Sequence, residues 1–296
     1  MNASRVLVVG DLLYDLLAKV ETVAFGTDTF TPIHADAGGS GANTAYWLAR
    51  LGVETHFVGR VGDDVFGEYL VEKLGGGGTI PHVVRDTSSR TGKVFVMVDG
   101  TGERTMITDR GAGETLSPED LPRELFQPGT HLHLSGYLLL GASREETALE
   151  ALRLAGESGM SVSVDPSSVP LLEELGPEKF LRWTGGADLC FPNREEGALL
   201  AGANDPHSTV EALVDHYPGV VLKLGAEGAL YASTEGQREL LPAVPTKVLD
   251  ATGAGDALSA GFLAAWISDE PPTEALRKGL ALSARVMESM GGRPEL

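Results

Sequence analysis

The stretch that decides the fold is Asp250-Ala-Thr-Gly-Ala-Gly-Asp256, which is followed directly by the apolar run Ala257–Ile267. The composition and length of that run predict a helix. Gly253, Ala254 and Gly255 are small, so their backbone N–H groups can approach a ligand closely where this helix begins. The helix dipole adds a partial positive charge there, and the arrangement suits a phosphate or a developing anion.

Asp256 lies in the first turn of the predicted helix, where a carboxylate can accept a proton from an attacking hydroxyl. It could equally be an ordinary helix N-cap after a glycine loop, since Asp is common at helix starts. Two nucleotide-binding motifs are excluded because the residues at their key positions are wrong. The third glycine of a Rossmann Gly-x-Gly-x-x-Gly would fall at Leu258, and a Walker A loop fails because Lys93 is followed by Val94.

Short β-branched runs alternate with longer helical patterns over the rest of the chain. Such alternation is typical of βαβ units around a mostly parallel sheet. The predicted strands are Val6–Val9, Thr55–Val58, His131–Leu134, Ser161–Val164, Leu189–Phe191 and Val220–Leu224. The other predicted helices are Asn43–Leu51, Phe66–Leu74, Glu145–Ala155, Leu171–Leu175, Glu195–Ala201 and Thr273–Met290.

Two stretches break this alternation. Residues 18–37 mix β-forming and polar residues, and Lys93–Val98 with Thr105–Thr108 predict a hairpin around Asp99-Gly100-Thr101-Gly102. We interpret them as a small β-sheet lid over a site, formed by about residues 16–37 and 90–110. The alternative is that they are edge strands of the main sheet.

Composition limits the possible partners. The chain has 296 residues with 23 Lys and Arg against 42 Asp and Glu, a net charge of −19. We therefore expect neither a nucleic acid nor an anionic membrane as a partner. Cys190 is the only cysteine, which excludes an internal disulfide and a Cys-based zinc site. No signal-peptide pattern or membrane-length apolar run is present, so we expect a soluble, cytoplasmic protein.

Three segments together resemble one known family. Asp250–Asp256 running into a small-residue helix resembles the C-terminal signature of the ribokinase-like (PfkB) carbohydrate kinases. Gly38-Gly39-Ser40-Gly41-Ala42-Asn43-Thr44-Ala45 is similar to the N-terminal signature, and Val58–Gly67 also matches. The resemblance implies a single domain over residues 1–296, with a three-layer α/β/α fold, a mostly parallel central sheet and a small β-sheet lid. It also implies an ATP-dependent kinase that phosphorylates a hydroxyl of a small sugar or sugar derivative.

The C-terminal signature carries the chemistry that the resemblance implies. Asp256 would be the general base, and Gly253, Ala254 and Gly255 would form the anion hole. Two further positions, Asp250 and the Thr252 carbonyl, match those that hold a monovalent cation, usually K⁺, in many relatives.

On the acceptor side, Asp15 matches a family carboxylate that accepts hydrogen bonds from sugar hydroxyls. It follows the first predicted strand, where ligands of open α/β sheets bind. Asp11 lies beside it and could share this role. Gly39 and Asn43 match substrate-contacting positions, although Asn43 could instead merely begin the following helix. We assign Arg110 to the substrate site as well.

On the nucleotide side, Asn193-Arg194-Glu195-Glu196 resembles the family's Asn-x-x-Glu motif. The resemblance implies that Glu196 holds Mg²⁺ through water and that Asn193 lies at the ATP site. Both glutamates could instead be a solvated helix start. Lys223, Gly225 and Gly228 resemble the family's nucleotide-side turn, where Lys223 would neutralise a phosphate or only edge the sheet.

The sequence leaves the acceptor open. Gly113 stands where relatives often have Asn, and Asp165-Pro166-Ser167-Ser168 replaces a common Asp-x-Asn pattern. One alternative is a nucleoside kinase of the same fold, and another is a catalytically silent sugar-binding relative. The aromatic candidates for stacking on a nucleoside base are Tyr14, Phe30, Tyr46 and Trp47. Because related kinases often pair through the lid, we also expect a homodimer.

Overall fold

Strands and helices alternate along the chain as predicted. The structure, a computed structural model, describes residues 3–100, 104–139 and 141–295. Its strands are β1 (Arg5–Val9), β2 (Leu13–Lys19), β3 (Ile33–Gly38), β4 (Glu54–Gly62), β5 (Ile80–Asp86), β6 (Thr91–Val98), β7 (Arg104–Gly111), β8 (Thr130–Ser135), β9 (Ser161–Asp165), β10 (Leu189–Cys190), β11 (Gly219–Lys223), β12 (Ala229–Ser233) and β13 (Arg238–Leu241). Its α-helices are α1 (Ser40–Arg50), α2 (Val65–Gly76), α3 (Ala142–Glu157), α4 (Val169–Leu175), α5 (Pro177–Thr184), α6 (Arg194–Ala201), α7 (Pro206–Leu213), α8 (Ala254–Trp266) and α9 (Pro272–Met287).

A nine-stranded sheet lies at the centre, in the order β13-β12-β11-β10-β9-β8-β1-β4-β5. Pairing is parallel from β11 through β1 to β5. Only β12 and β13 add to it in antiparallel fashion, at one edge. The predicted mostly parallel sheet is confirmed.

Helices cover both faces of this sheet. Leu7 and Val9 of β1 pack in an apolar cluster with α3 to α7, whereas Val6 and Val8 pack in a second cluster with α1, α2, α8 and α9. All four side chains are fully buried. A strand buried on both faces reads as a continuous apolar run, which is why β1 was visible in the sequence.

The second sheet has four strands in the order β3-β2-β6-β7. The predicted small additional sheet is confirmed, and the alternative of edge strands on the main sheet is wrong. Its limits differ from the prediction, because β2 begins at Leu13 and residues 20–32 contain no strand. Thr101 and Gly102 of the predicted hairpin turn lie outside the described residues.

Some elements differ from the sequence prediction. Helix α9 ends at Met287 rather than Met290, before the glycines at 291 and 292. Strand β5 was not predicted because Pro81 and polar residues interrupt its apolar pattern. The helices α5 and α7 and the edge strands β12 and β13 were also missed. Within the described ranges, no helix has the length and apolar character needed to cross a membrane.

Candidate active site

A cleft of about 540 Å³ opens where the parallel strands of the main sheet end, and the second sheet forms another of its walls. Ligands of open α/β sheets bind at this edge because the strand ends and helix starts meet there. Thirteen of the predicted site residues line it: Asp11, Asp15, Gly39, Asn43, Arg110, Asn193, Glu196, Lys223, Gly225, Thr252, Gly253, Gly255 and Asp256. Ala254, Gly228 and Asp250 are not among its lining residues.

The start of α8 forms one end of the cleft. Gly253 is the N-cap residue and adopts a left-handed conformation with φ of 74°. A Cβ at this position would lie 2.7 Å from the Cα of Gly292, so only glycine fits between the loop and the segment that follows α9. The first turn of α8 then continues through Ala254 and Gly255 to Asp256.

Asp256 is held by two side chains from α1. Its Oδ1 accepts a hydrogen bond from Ser40 Oγ at 2.7 Å, and its Oδ2 accepts one from Asn43 Nδ2 at 2.8 Å. Burial raises the pKa of Asp256 to about 6, while these two hydrogen bonds act to lower it. The carboxylate is therefore ionised at neutral pH and still basic enough to take a proton.

Asp15 is a buried carboxylate on β2. Its Oδ1 has no hydrogen-bond partner, and its carboxyl group fills the space that a side chain at residue 38 would need. Burial raises the pKa of Asp15 to about 7; Arg293 opposes this shift, and Asp36 is the first of the carboxylates that add to it. The protein thus maintains an acidic group at a site that disfavours its charge, which is typical of functional sites.

Asp11 is paired with basic side chains. Its Oδ2 accepts a hydrogen bond from Arg110, and its Oδ1 lies 3.9 Å from Nη1 of Arg144. The Arg110 guanidinium also lies 4.8 Å from the ring centroid of Tyr137. Asp11 therefore reaches the cleft as part of an ion pair.

Gly39 packs directly against the backbone of Asp11. It has φ of 99°, and a Cβ there would lie 2.2 Å from the Asp11 carbonyl oxygen, so glycine is required.

Lys223 lies beside the start of α8. Its Nζ donates a hydrogen bond to Asp165 Oδ2 at 2.7 Å and lies 3.5 Å from where a Cβ of Gly255 would stand. Burial alone would lower the pKa of Lys223, but the charges of Asp165 and Glu196 outweigh it and raise that pKa. Lys223 is thus a buried ammonium group that lines the cleft.

Asn193 and Glu196 form the N-terminal capping box of α6. Asn193 Oδ1 accepts from the Glu196 N–H at 2.8 Å, and Glu196 Oε2 accepts from the Asn193 N–H at 2.9 Å. Glu196 is buried rather than solvated, and burial raises its pKa to about 7. In the described ranges no group of three or more His, Cys, Asp or Glu is arranged to hold a metal ion. Mg²⁺ needs no such group, because it keeps waters and uses one or two carboxylates.

The remaining predicted residues have structural partners. Asp250 Oδ1 accepts hydrogen bonds from the Thr252 N–H and hydroxyl at 2.9 and 2.7 Å, and its Oδ2 accepts one from the Gly291 N–H at 2.9 Å. A Cβ at Gly228 would lie 1.9 Å from the Leu241 carbonyl oxygen. Gly228 is therefore required by the passage of β13, whatever the ligand.

Sequence reasoning missed several residues at this site. Ser167 lines the cleft with φ of 77°, a strained conformation for a residue with a side chain. Arg104 of the second sheet reaches across to the hydroxyl of Thr252 at 3.5 Å. No local pattern marks Arg104, and Ser167 lies where this chain departs from the family pattern, so neither was assigned a role. Ser40 lies within the N-terminal signature, which could have identified it, whereas only folding brings Tyr137 to the cleft and Arg293 beside Asn43.

The fold and this carboxylate-bearing cleft at a helix start define a ribokinase-like kinase, a phosphotransferase whose acceptor is a hydroxyl group. Residues 3–296 match the pfkB family of carbohydrate kinases, and the chain belongs to that family. The predicted family and fold are confirmed.

Individual similar proteins include several kinases. The chain is 31% identical over 293 residues to an ATP-dependent ribose-1-phosphate kinase of Halopiger xanaduensis, covering 98% of this chain and 94% of the other. It also resembles the crystal structure of adenosine kinase from Sinorhizobium meliloti, with a TM-score of 0.90, 25% identity and coverage of 99% and 96%. A third is fructokinase from Vibrio cholerae with fructose, ADP and calcium bound, with a TM-score of 0.84, 28% identity and coverage of 98% and 94%.

Proposed function

We propose that this chain transfers the γ-phosphoryl group of ATP to a hydroxyl of a small sugar or sugar derivative. One observation carries the proposal: Asp15 and Asp256 line the same cleft, and Oδ1 of the buried Asp15 has no donor. A buried oxygen without a donor costs free energy, and a sugar hydroxyl satisfies it. The ribose-1-phosphate kinase and the fructokinase to which the chain is similar agree with an acceptor of this class.

Asp256 acts as the general base in this reaction. The acceptor oxygen attacks the γ-phosphorus while its proton passes to the Asp256 carboxylate, and the bond from phosphorus to the bridging oxygen breaks to release ADP. Gly253, Ala254 and Gly255 at the start of α8 form the anion hole, where backbone N–H groups and the helix dipole stabilise the transferring charge. Lys223, beside Gly255, adds a positive charge at that point.

The acceptor is bound from the side of β1, β2 and α1. Asp15 accepts hydrogen bonds from the hydroxyl groups of the acceptor. The side chain of Asn43 and the backbone of Gly39 make the other contacts with it. Asp11 and Arg110 contact the acceptor together, because their side chains already form an ion pair with each other. Burial of Asp15 makes each hydroxyl hydrogen bond stronger than it would be in water.

The nucleotide binds on the side of β10 and β11. Asn193, Lys223 and Gly225 contact ATP, and Gly228 shapes their turn without lining the cleft. Glu196 would hold Mg²⁺ through water, and the ion would neutralise phosphate charge when bound.

A monovalent cation is proposed at Asp250 and the Thr252 carbonyl, with K⁺ as the expected ion. The Asp250 carboxylate joins the loop before α8 to the segment after α9 through its hydrogen bonds to Thr252 and Gly291. A carboxylate offers about four lone-pair positions. The Thr252 N–H, the Thr252 hydroxyl and the Gly291 N–H use three of them, which leaves one for an ion. Asp250 therefore fits the site in its donor chemistry.

The nucleoside alternative has less support, although the chain resembles an adenosine kinase. Tyr137 is the one aromatic side chain among the described residues that line the cleft, and Arg110 covers its ring. Tyr14 packs on Phe66 and Tyr69 instead. Among the lining residues that the structure describes, a base would therefore find no uncovered ring on which to stack, which favours a sugar.

The chain forms one domain in this proposal, with the second sheet as lid over the acceptor and as the contact surface of a homodimer. Phe25 and Phe30 are 94% and 93% exposed beside this sheet, and Ile107 on β7 is also exposed. Contiguous exposed apolar surface marks interaction sites, and an exposed sheet edge tends to find a partner. A second copy would offer the same apolar side chains and the same edge strands, β3 and β7. A cytoplasmic location stays a prediction from the sequence.

The test is ATP consumption with a panel of sugars, sugar phosphates, sugar acids and nucleosides, with Mg²⁺ and with or without K⁺. Turnover with one sugar class and loss of turnover in Asp256→Asn are expected. Turnover with nucleosides only would favour the alternative, and no turnover with any acceptor would reject the kinase assignment.

A further inference from the structure

Arg293 is a buried cation that belongs to neither signature. It follows two glycines after α9, and it is 8% exposed. Its Nε donates to Asn43 Oδ1 at 2.8 Å, and its Nη2 donates to the Gly38 carbonyl at 2.7 Å. The same segment is held by Trp47, whose Nε1–H donates to the Gly292 carbonyl at 2.9 Å. The segment after α9 is thus fixed against the helix that carries Asn43.

We propose that Arg293 is a positioning residue for phosphoryl transfer, which orients the Asn43 amide so that its nitrogen faces Asp256. An amide offers an acceptor on one side and donors on the other, and both orientations have nearly the same shape. A guanidinium group has donors only, so the Asn43 atom that faces Arg293 must be oxygen. The amide nitrogen is then turned to Asp256 Oδ2, 2.8 Å away.

The consequence of losing Arg293 follows from this chain of hydrogen bonds. The Asn43 amide would be free to rotate and to place its oxygen against the carboxylate of Asp256. That rotation replaces a donor to the ionised base with a repulsive contact, which favours the protonated base. The effect reaches Asp256 through Asn43, so Arg293 acts at a distance from the reacting atoms.

The positive charge of Arg293 also favours the ionised form of Asp256. Burial lowers the pKa of Arg293 to about 10, so its guanidinium group is still protonated at neutral pH, and Asp15, Asp36 and Asp256 favour its charge. The titratable groups that face Asp256 from the surrounding elements are Asp15, Tyr137, Asp165, Lys223 and Arg293. Removing Arg293 leaves Lys223 to oppose the carboxylates of Asp15 and Asp165 among these groups, so the pKa of Asp256 should rise.

The inference rests on the proposed kinase function and is tested by the pH dependence of kcat in Arg293→Gln and Arg293→Met. The base must be ionised to work, so kcat falls as the pH drops through its pKa. We expect this acid limb to move to higher pH by about 1 unit in both variants, the lower end of the effect of losing a nearby opposite charge. The KM for ATP should not change, because Arg293 does not line the cleft.

Two controls separate orientation from general loosening. Arg293→Lys keeps the charge and a donor for Asn43, so its acid limb should move less. Trp47→Phe loosens the same segment but keeps Arg293, so its limb should stay in place. Melting temperatures identify which variants fold. The test needs only one folded variant, either Arg293→Gln or Arg293→Met.

An acid limb that coincides with the wild type in a folded Gln or Met variant overturns the inference. An equal shift in Trp47→Phe does so as well. Both results leave the kinase function intact. A wild-type protein without kinase activity overturns the function and the inference together.

Discussion

Asn43 Nδ2 donates a hydrogen bond to Asp256 Oδ2 at 2.8 Å, although the two residues lie 213 positions apart in the sequence. The first residue is on α1 and the second is on α8, so this bond joins the N-terminal and C-terminal signatures at one point of the cleft. The proposed general base is thus oriented by the segment that also carries the proposed acceptor contacts Gly39 and Asn43. A change on either helix should affect the transfer step.

Asp256→Asn should lower kcat by roughly 10²–10⁴, the range for general acid–base catalysis. The amide keeps the shape of the carboxylate but cannot take a proton near neutral pH. The KM for ATP should change little, since the start of α8 is retained. Steady-state kinetics and a melting curve check this. A kcat within a few-fold of the wild type, with lowered stability, would instead make Asp256 a helix-capping residue.

Asp15→Asn should raise the KM for the acceptor roughly 10- to 100-fold, since a lost charged hydrogen-bond partner costs about 1.5–3 kcal/mol. The KM for ATP should stay constant, and the exposed Asp215→Asn provides the control. Equal changes in both KM values would remove Asp15 from the acceptor site.

The same substitution should also stabilise the protein at high pH. The pKa of Asp15 is about 7 in the folded state against an ordinary value of 3.8, so the folded protein binds this proton more tightly than the unfolded chain. The Asp15 charge therefore destabilises the fold increasingly from about pH 4 to pH 7. Asp15→Asn should melt at a higher temperature than the wild type at pH 8, and the difference should vanish below pH 4.

Lys223→Met should destabilise the protein by about 3–5 kcal/mol, because it leaves the buried Asp165 without its cation. The double variant Lys223→Met/Asp165→Asn removes both charges and should recover much of that loss. The rate should stay low in both, about 10²-fold below the wild type, as for other groups that stabilise transition-state charge. Urea unfolding and kcat measure the two effects. Recovery of kcat in the double variant would show that Lys223 serves stability alone.

Phe25→Ser/Phe30→Ser should convert a homodimer to a monomer at micromolar concentration, because it removes two exposed aromatic side chains from the proposed contact. Leu240→Ser changes an apolar residue on β13 that is also exposed, to 52%, and should leave the dimer intact. Sedimentation velocity distinguishes these states. A wild-type protein that sediments as a monomer at all concentrations contradicts the dimer.

The sequence by itself determined the class of fold and much of the site. Continuous apolar runs such as Val6–Val9 are typical of strands buried on both faces, so the parallel sheet could be predicted locally. The glycines at 253 and 255 and the carboxylate of Asp256 lie within one helical turn, where sequence spacing fixes their relation in space. Strand β5 escaped prediction because Pro81 and polar residues interrupt its apolar pattern, and helix α5 escaped because it has only eight residues.

The tertiary structure alone decided which polar groups meet. Asp165 and Lys223 lie 58 positions apart and form an ion pair, and Arg293 reaches Asn43 across 250 positions. No spacing encodes such contacts, because they depend on how separate strands and helices pack at one edge of the sheet. The burial that raises the pKa of Asp15 is likewise a property of the assembled cleft. Local chemistry therefore pointed to the candidate site residues, and packing set their electrostatic environment and orientation.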